Sequence, residues 1–464
     1  MRLHPTPPGS PRSSLVYALL FAIGLVVYGG VAWDRLGHPS ADPHFVLQAD
    51  AWLHGKTTID PPLLGDDWAR VETVILADGS SARGRRLITR PAFRTVDGRE
   101  LPISDVRSTR GKIAYMSFPP FPSVVMLPVA LIAGRAGNDM IPTWLCAAAI
   151  LPLALLVLRR LVAAGLSRRT LAEDLWLVAM LAFGSVLFFA AVQGQVWFTA
   201  HVIGVALALI YVWASIEAGR PVIAGLALGA ASLTRTAMAF MVVLFVLEAW
   251  RIHRRASWRV LLPFFAPVVV LAIAGGAYNL ARFGSPTEFG HTFLEVRQQA
   301  QIEHYGLASV HYLGRNLAVV LALFPSFVAR APYVQISGHG LALWLTTPVL
   351  IFLVWPRGKS PIRRALWLSV LVVALPSLLY QNSGWFQFGY RFSLDYMVLL
   401  VALLAVDDRP LGKLAKVLIV IGIAINLFGA LTFNRDPRFY RVDGAAYNAY
   451  ASRALVACHG VRDA

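Results

Sequence analysis

Between Ser40 and Pro62 the chain reads SADPHFVLQADAWLHGKTTIDPP, which gathers Asp42, His44, Asp50, His54 and Asp60 in one short stretch. Ionisable side chains so gathered are candidates for acid–base work, because a carboxylate can accept a hydroxyl proton while a new bond forms, provided it comes within hydrogen-bond reach. A second reading applies to Asp42. Asp42-Pro43 also has the form of a helix start, an N-cap followed by Pro at the first helical position, with Phe45, Ala49, Trp52 and Leu53 at helical spacing up to His54.

Cations suited to an anionic ligand stand elsewhere. Arg391 ends the run GWFQFGYR beside Trp385, Phe386, Gln387, Phe388 and Tyr390, a group that suits sugar stacking and also the aromatic belt of a membrane interface. Arg282 and Arg297 flank the FGSP turn, and Glu288, His291 and Glu295 follow it. The planar guanidinium fork can give a phosphate two parallel charge-assisted hydrogen bonds, and interfacial snorkelling is the plainer use of the same residue. Arg235 is the odd charge, set between Thr234 and Thr236 in a long apolar stretch. An arginine at mid-span costs about 2.5 to 3.5 kcal/mol on insertion scales, so it must face water or an interior partner. A role at a lipid phosphate and a structural pairing are both open to it.

The elements that must carry these residues are set by composition. With 57% hydrophobic and 14% charged residues in 464, and a mean hydropathy of +0.60, the chain has too little polar surface to coat a water-soluble globule. It reads as an all-α polytopic membrane protein with about 11 to 13 transmembrane helices in a single membrane domain over residues 1–464. The first span, Ser14 to Trp33, is expected to stay uncleaved. The net charge of +17 sits in clusters between apolar runs, at Arg159 to Arg169, Arg251 to Arg259, Arg357 to Arg364 and Arg409 to Lys416. That layout fits the positive-inside rule and contact with membrane lipids, and argues against nucleic acid. With the clusters inside, residues 34–118 form a large first extracytoplasmic loop, and residues 279–340, 381–391 and the tail 434–464 lie on the same outer side. This count needs residues 121–136 to re-enter and residues 222–250 to be two short spans meeting near Arg235, an arrangement tolerated only where it lines a cavity. The competing count makes residues 121–136 a true span and residues 222–250 one long helix, and exports the Arg159 to Arg169 cluster. Asp78-Gly79 and Asp97-Gly98 mark a small β-hairpin excursion in the first loop, and residues 310–327 suit an amphipathic helix lying flat. Cys146 and Cys458 have no metal-ligand spacing. No cofactor follows from the residues, and a divalent metal requirement is left open.

The spacing His44-Phe45, Ala49, Gly55, Pro61-Pro62 resembles the first extracytoplasmic loop of the protein O-mannosyltransferase family and its bacterial relatives in the glycosyltransferase C superfamily. Three further stretches resemble bacterial members: GKIAYMSFPPFPSVVMLP from Gly111, NLARFGSPTEFGH from Asn279 and GWFQFGYRFSLD from Gly384. In that family a pair of acids precedes the His-Phe step, whereas this chain has Ala41 and then Asp42. The resemblance implies an enzyme of the bacterial inner membrane that passes a sugar from a polyprenyl-phosphate donor to a glycan, lipid or protein acceptor on the extracytoplasmic side. It implies catalysis with Asp42 as the base, His44 orienting Asp42 or the acceptor, and Asp50 and Asp60 in reserve, together with a donor phosphate at Arg391, Arg282 and Arg235, and substrate contacts from Trp385, Gln387, Tyr390, Glu288 and His291. The rival class is a transporter or flippase of a lipid-linked substrate, which would place function at mid-membrane in repeated halves. No internal repeat is visible.

Overall fold

The computed structural model describes residues 11–64, 67–296 and 298–441. Helix α1 (Pro11–Val31) and helix α2 (His44–Leu53) precede five strands, β1 (Trp68–Leu76), β2 (Ser81–Arg86), β3 (Ala92–Thr95), β4 (Glu100–Pro102) and β5 (Val106–Met116). Helices follow: α3 (Phe121–Ala133), α4 (Met140–Ala163), α5 (Leu171–Ala182), α6 (Leu187–Ala191), α7 (Val196–Ser215), α8 (Pro221–Ser232), α9 (Val242–His253) and α10 (Trp258–Phe283). Then come α11 (Gln299–Tyr305), α12 (Leu313–Ala322), α13 (Leu343–Thr346), α14 (Arg363–Leu379), α15 (Leu394–Ala405) and α16 (Lys413–Thr432).

Among the described residues six helical segments are long and apolar enough to cross a bilayer: Ser14–Val31, Met140–Ala163, Val196–Ala218, Thr236–Ala256, Trp258–Phe283 and Lys413–Thr432. The chain is an integral membrane protein. Other apolar runs that the sequence suggests as spans are shorter or interrupted. The run 341–355 breaks where Thr347 precedes Pro348, which has no N–H to continue a helix, and the run 175–192 breaks between α5 and α6. Burial sorts the helices. In α7 72% of the apolar window is buried, which makes it the central pillar, whereas α10 at 11% presents Leu262, Val269, Val270 and Ile273 outward, as lipid contact requires.

Charge gathers at one end of the bundle. There Arg159 pairs with Asp174 at 2.8 Å, Arg160 with Glu217 at 2.7 Å and Arg251 with Glu248, while the Arg357 N–H donates to Asp407 and the Ser360 hydroxyl to the Leu166 carbonyl. The clusters read as one-sided in the sequence thus share one polar layer.

The opposite end carries the sheet. It is antiparallel with order β4-β3-β2-β1-β5, larger than the expected hairpin, and for a physical reason: three or more strands are needed to bury one apolar face, here Val74, Ala82 and Phe93. The two Asp-Gly turns are where the sequence puts them, with Gly79 at φ 85° and Gly98 at φ 87°. Strand β2 ends at Arg86, because the N–H groups of Ile88 and Thr89 donate to the Glu303 carboxylate instead of a neighbouring strand. Stacked Phe283 and Phe293 with Tyr115 seat the sheet on the end of α10.

Two details position the site. Helices α8 and α9 stop short at Arg235, whose backbone is extended at φ −147° and ψ 112°, and the freed Leu233 carbonyl accepts the N–H of Phe121 at the start of α3. Beyond the far end of α3 the Arg135 guanidinium donates to the carbonyls of Asp60 and Pro61. This helix therefore runs from the break back to the first polar loop. Residues 310–327 form a 3-10 turn (Val310–Tyr312) that leads into α12, then leave the helix after Ala322 and end in a two-residue strand (Ser326–Phe327). Residues 442–464 of the tail, with Cys458, and Arg297 lie outside the described residues.

Candidate active site

Where the sheet meets the bundle lies a cavity of 580 Å³. Its walls come from segments far apart in the chain: Asp42, Asp67 and Ser117 to Pro119 from the first polar loop, Gln195, Trp197 and Phe198 from the start of α7, and Thr234 to Ala237 from the α8–α9 break. His291, Leu294 and Val296 follow α10, Tyr380 to Asn382, Trp385, Phe386 and Arg391 follow α14, and Asn434 follows α16. Polar segments that are far apart in the chain meet here.

Asp42 sits in one wall. Its Oδ2 accepts from Gln195 Nε2 at 3.0 Å, while α2 begins at His44 behind Pro43 with no side-chain cap. The N-cap reading of Asp42 is thereby corrected: the carboxylate is drawn into the cavity wall by an amide from another element.

The α8–α9 break delivers Arg235. Its Nε and one terminal nitrogen grip both oxygens of Asp395 at 2.5 and 2.9 Å, and His201 Nδ1 lies 3.4 Å from the same carboxylate. A buried carboxylate with a bidentate guanidinium neutralises the charge that a broken helix brings inward. Arg391 is different. It is 5% exposed, its guanidinium packs over Phe198 and Phe392, and among the described residues that guanidinium makes no ion pair or hydrogen bond. A buried guanidinium that lines a cavity without a direct ion pair is a candidate partner for an anionic ligand.

Of the residues singled out in the sequence, Asp42, Arg235, His291, Trp385, Phe386 and Arg391 line this cavity. The others do not. His44, 3% exposed, stacks on Trp68 with centroids 4.2 Å apart, and burial pushes its pKa down from 6.5 to about 4. It is therefore neutral at ordinary pH. Asp50 turns to the other side of α2, 3.6 Å from His54. Arg282 donates to the Met116 carbonyl at 2.6 Å and to Asn279 at 2.8 Å, which ties α10 to the end of β5. Glu288 accepts from the Gly290 N–H and the Thr292 hydroxyl within its own turn. Gln387 bonds the carbonyls of His339 and Ser383 and the Arg391 N–H, and Tyr390 donates to Ser377. These two shape the loop that presents Arg391. Half-buried His291 has its pKa lowered by desolvation, with Glu288 opposing that shift and Arg235 adding to it.

Sequence reasoning missed Asp67, Gln195, Asn434 and Asp395. Asp395 had a usable signal, since a carboxylate opening an apolar helix needs a cationic partner as much as Arg235 needs an anionic one. The other three are ordinary loop residues. Among the described residues no group of three or more His, Cys, Asp and Glu side chains is gathered as a metal ion would need.

No known protein-family model matches this chain, and no curated protein matches it. Among solved structures, the apo oligosaccharyltransferase of Archaeoglobus fulgidus is similar at a TM-score of 0.43 and 12% identity, over 93% of this chain and 57% of that one. The chain thus spans little more than half the length of that protein.

Proposed function

We propose that this protein is a membrane glycosyltransferase that moves a sugar from a polyprenyl-phosphate carrier to an acceptor hydroxyl at the extracytoplasmic face of a bacterial inner membrane. The observation that carries the reading is Arg391, a buried guanidinium with no direct ion pair among the described residues, in a cavity that also holds the carboxylates of Asp42 and Asp67. A phosphate would supply the missing anion, and Arg235, whose charge Asp395 already balances, would add a second donor without a second uncompensated charge. Trp385, Phe386 and Tyr380 offer faces on which a sugar ring can stack.

In this reading the acceptor oxygen attacks the anomeric carbon from the face opposite the phosphate. The bond from that carbon to the phosphate oxygen breaks, its electron pair leaves with the lipid phosphate, and the hydroxyl proton passes to Asp42. The product glycoside is inverted at the anomeric carbon. Phosphate is a good leaving group, so one carboxylate suffices and no general acid is needed. The topology in which the chain passes the bundle eleven times, counting α5 with α6 and the segment from α13 to Leu353 once each, belongs to the same proposal.

The test is transfer of radiolabelled sugar from synthetic polyprenyl-phosphate hexoses and pentoses in membranes holding the protein. Arg391→Lys keeps the charge and loses the fork, and should raise the donor KM about tenfold at equal expression. Unchanged donor KM in that variant would remove the phosphate role. One observation favours a second reading, transport of a lipid-linked substrate: broken helices that end at a buried charge are how transporters build their sites. Movement of the labelled lipid across the membrane, with no sugar transferred, would decide for it.

A further inference from the structure

We infer that Gln195 is a positioning residue that sets the orientation and basicity of Asp42, an inference that rests on Asp42 being the base. Gln195 Nε2 donates to Asp42 Oδ2 at 3.0 Å, and Gln195 Oε1 accepts from Asn434 Nδ2 at 3.1 Å. A side-chain amide has a donor end and an acceptor end, and here each end is committed. The Asn434 amide also donates to Gln193 Oε1 at 3.3 Å, so rotating Gln195 would set donor against donor at Asn434 and oxygen against oxygen at Asp42. The amide is thereby locked with its N–H on the carboxylate.

The backbone around the pair is fastened as well. The Val196 N–H donates to the Asp42 carbonyl at 3.0 Å, and the Asp42 N–H donates to Ser40 Oγ at 3.3 Å. Ser40 is in turn held by Asp139, through its N–H at 2.8 Å and its hydroxyl at 2.6 Å. Gly194, at φ 77°, lets the turn between α6 and α7 close on this group, since an added Cβ would stand 3.2 Å from the Ser40 side chain. Asp42 thus meets the α6–α7 turn through both its side chain and its backbone.

The chemical consequence is specific. A hydrogen bond donated to a carboxylate favours the charged form, so Gln195 keeps Asp42 ionised to lower pH and fixes the plane in which it accepts a proton. Removing the amide should raise the pH at which Asp42 ionises. A purely structural glutamine would not.

The experiment uses the full chain in detergent micelles and N,N′-dicyclohexylcarbodiimide, which modifies protonated carboxyl groups. Modification of the Asp42 peptide is followed by mass spectrometry across pH. In Gln195→Leu the midpoint should rise by about 1 pH unit, roughly tenfold more protonated Asp42 at a given pH, and in Gln195→Glu it should rise further. Asn434→Gly, at a position where φ is 57°, removes only the group that locks the amide and should give a smaller rise in the same direction. A midpoint unmoved in Gln195→Leu overturns the inference; if that variant does not fold, an unmoved midpoint in Asn434→Gly does so. The readout is independent of sugar transfer, so failure here leaves the glycosyltransferase reading to its own assay.

Discussion

Asp42 and His44 are next-but-one neighbours in the chain, and their side chains occupy different worlds. Asp42 lines the cavity, whereas His44 is packed flat against Trp68 and kept neutral by burial. Since the folded pKa of about 4 lies below the ordinary 6.5, the folded state resists protonation, and stability present above pH 6.5 is lost as pH falls toward 4. The loss reaches about 3 kcal/mol. His44→Phe keeps the stack without the titration, so its melting temperature should drop less than that of the wild type between pH 6.5 and 4; parallel melting curves would refute this. For the base itself, Asp42→Asn should lower sugar transfer at least about 100-fold with donor KM little changed. Asp67 replaces Asp50 as the reserve, because it and not Asp50 lines the cavity. Near-normal transfer by Asp42→Asn, with Asp67→Asn inactive, would move the role to Asp67.

At the scale of elements, the decisive feature is the interruption between α8 and α9. It releases a backbone carbonyl, taken by α3, and admits an arginine, matched by Asp395 at the start of α15. Replacing one member of a buried pair strands the other, at about 3 to 5 kcal/mol, whereas replacing both by apolar residues of similar volume is often nearly neutral. Asp395→Leu should therefore melt well below the wild type, and Arg235→Met with Asp395→Leu should recover most of the difference. Sugar transfer should stay lost in the double variant if Arg235 also touches the donor. Equal melting of the single and double variants would mean that the pair carries no such energy.

For the whole molecule, the segregation of charge predicts sidedness. The ion-paired layer of Arg159, Arg160, Arg251 and Arg363 marks one end and the sheet the other. With Cys146 and Cys458 replaced by serine, cysteines placed at exposed Arg99 and exposed Arg255 should behave oppositely toward an impermeant thiol reagent. The Arg99 site should label in intact cells, and the Arg255 site only after permeabilisation. Labelling in the reverse order would invert the topology and put the cavity on the cytoplasmic side.

Hydropathy, the spacing of arginines and the turn dipeptides determined by themselves the helical membrane class, the common end of the basic clusters and the two Asp-Gly turns, because each rests on interactions within a few residues or with the solvent. What a side chain faces across the fold was beyond them. Asp42 and Asp50 look alike in sequence, yet only the packing of α7 beside α2 puts an amide on one, from 153 positions away, while the other turns toward His54. Arg235 needed a partner, and the sequence said so, but the partner stands 160 positions on. Arg391 was legible as a cation among aromatics; that it is buried without an anion depends on every neighbour that failed to reach it. Such pairings are chosen by the packing of whole helices, whose free energy sums over contacts that no local window contains, and so the tertiary structure alone decided which carboxylates and guanidinia share the cavity.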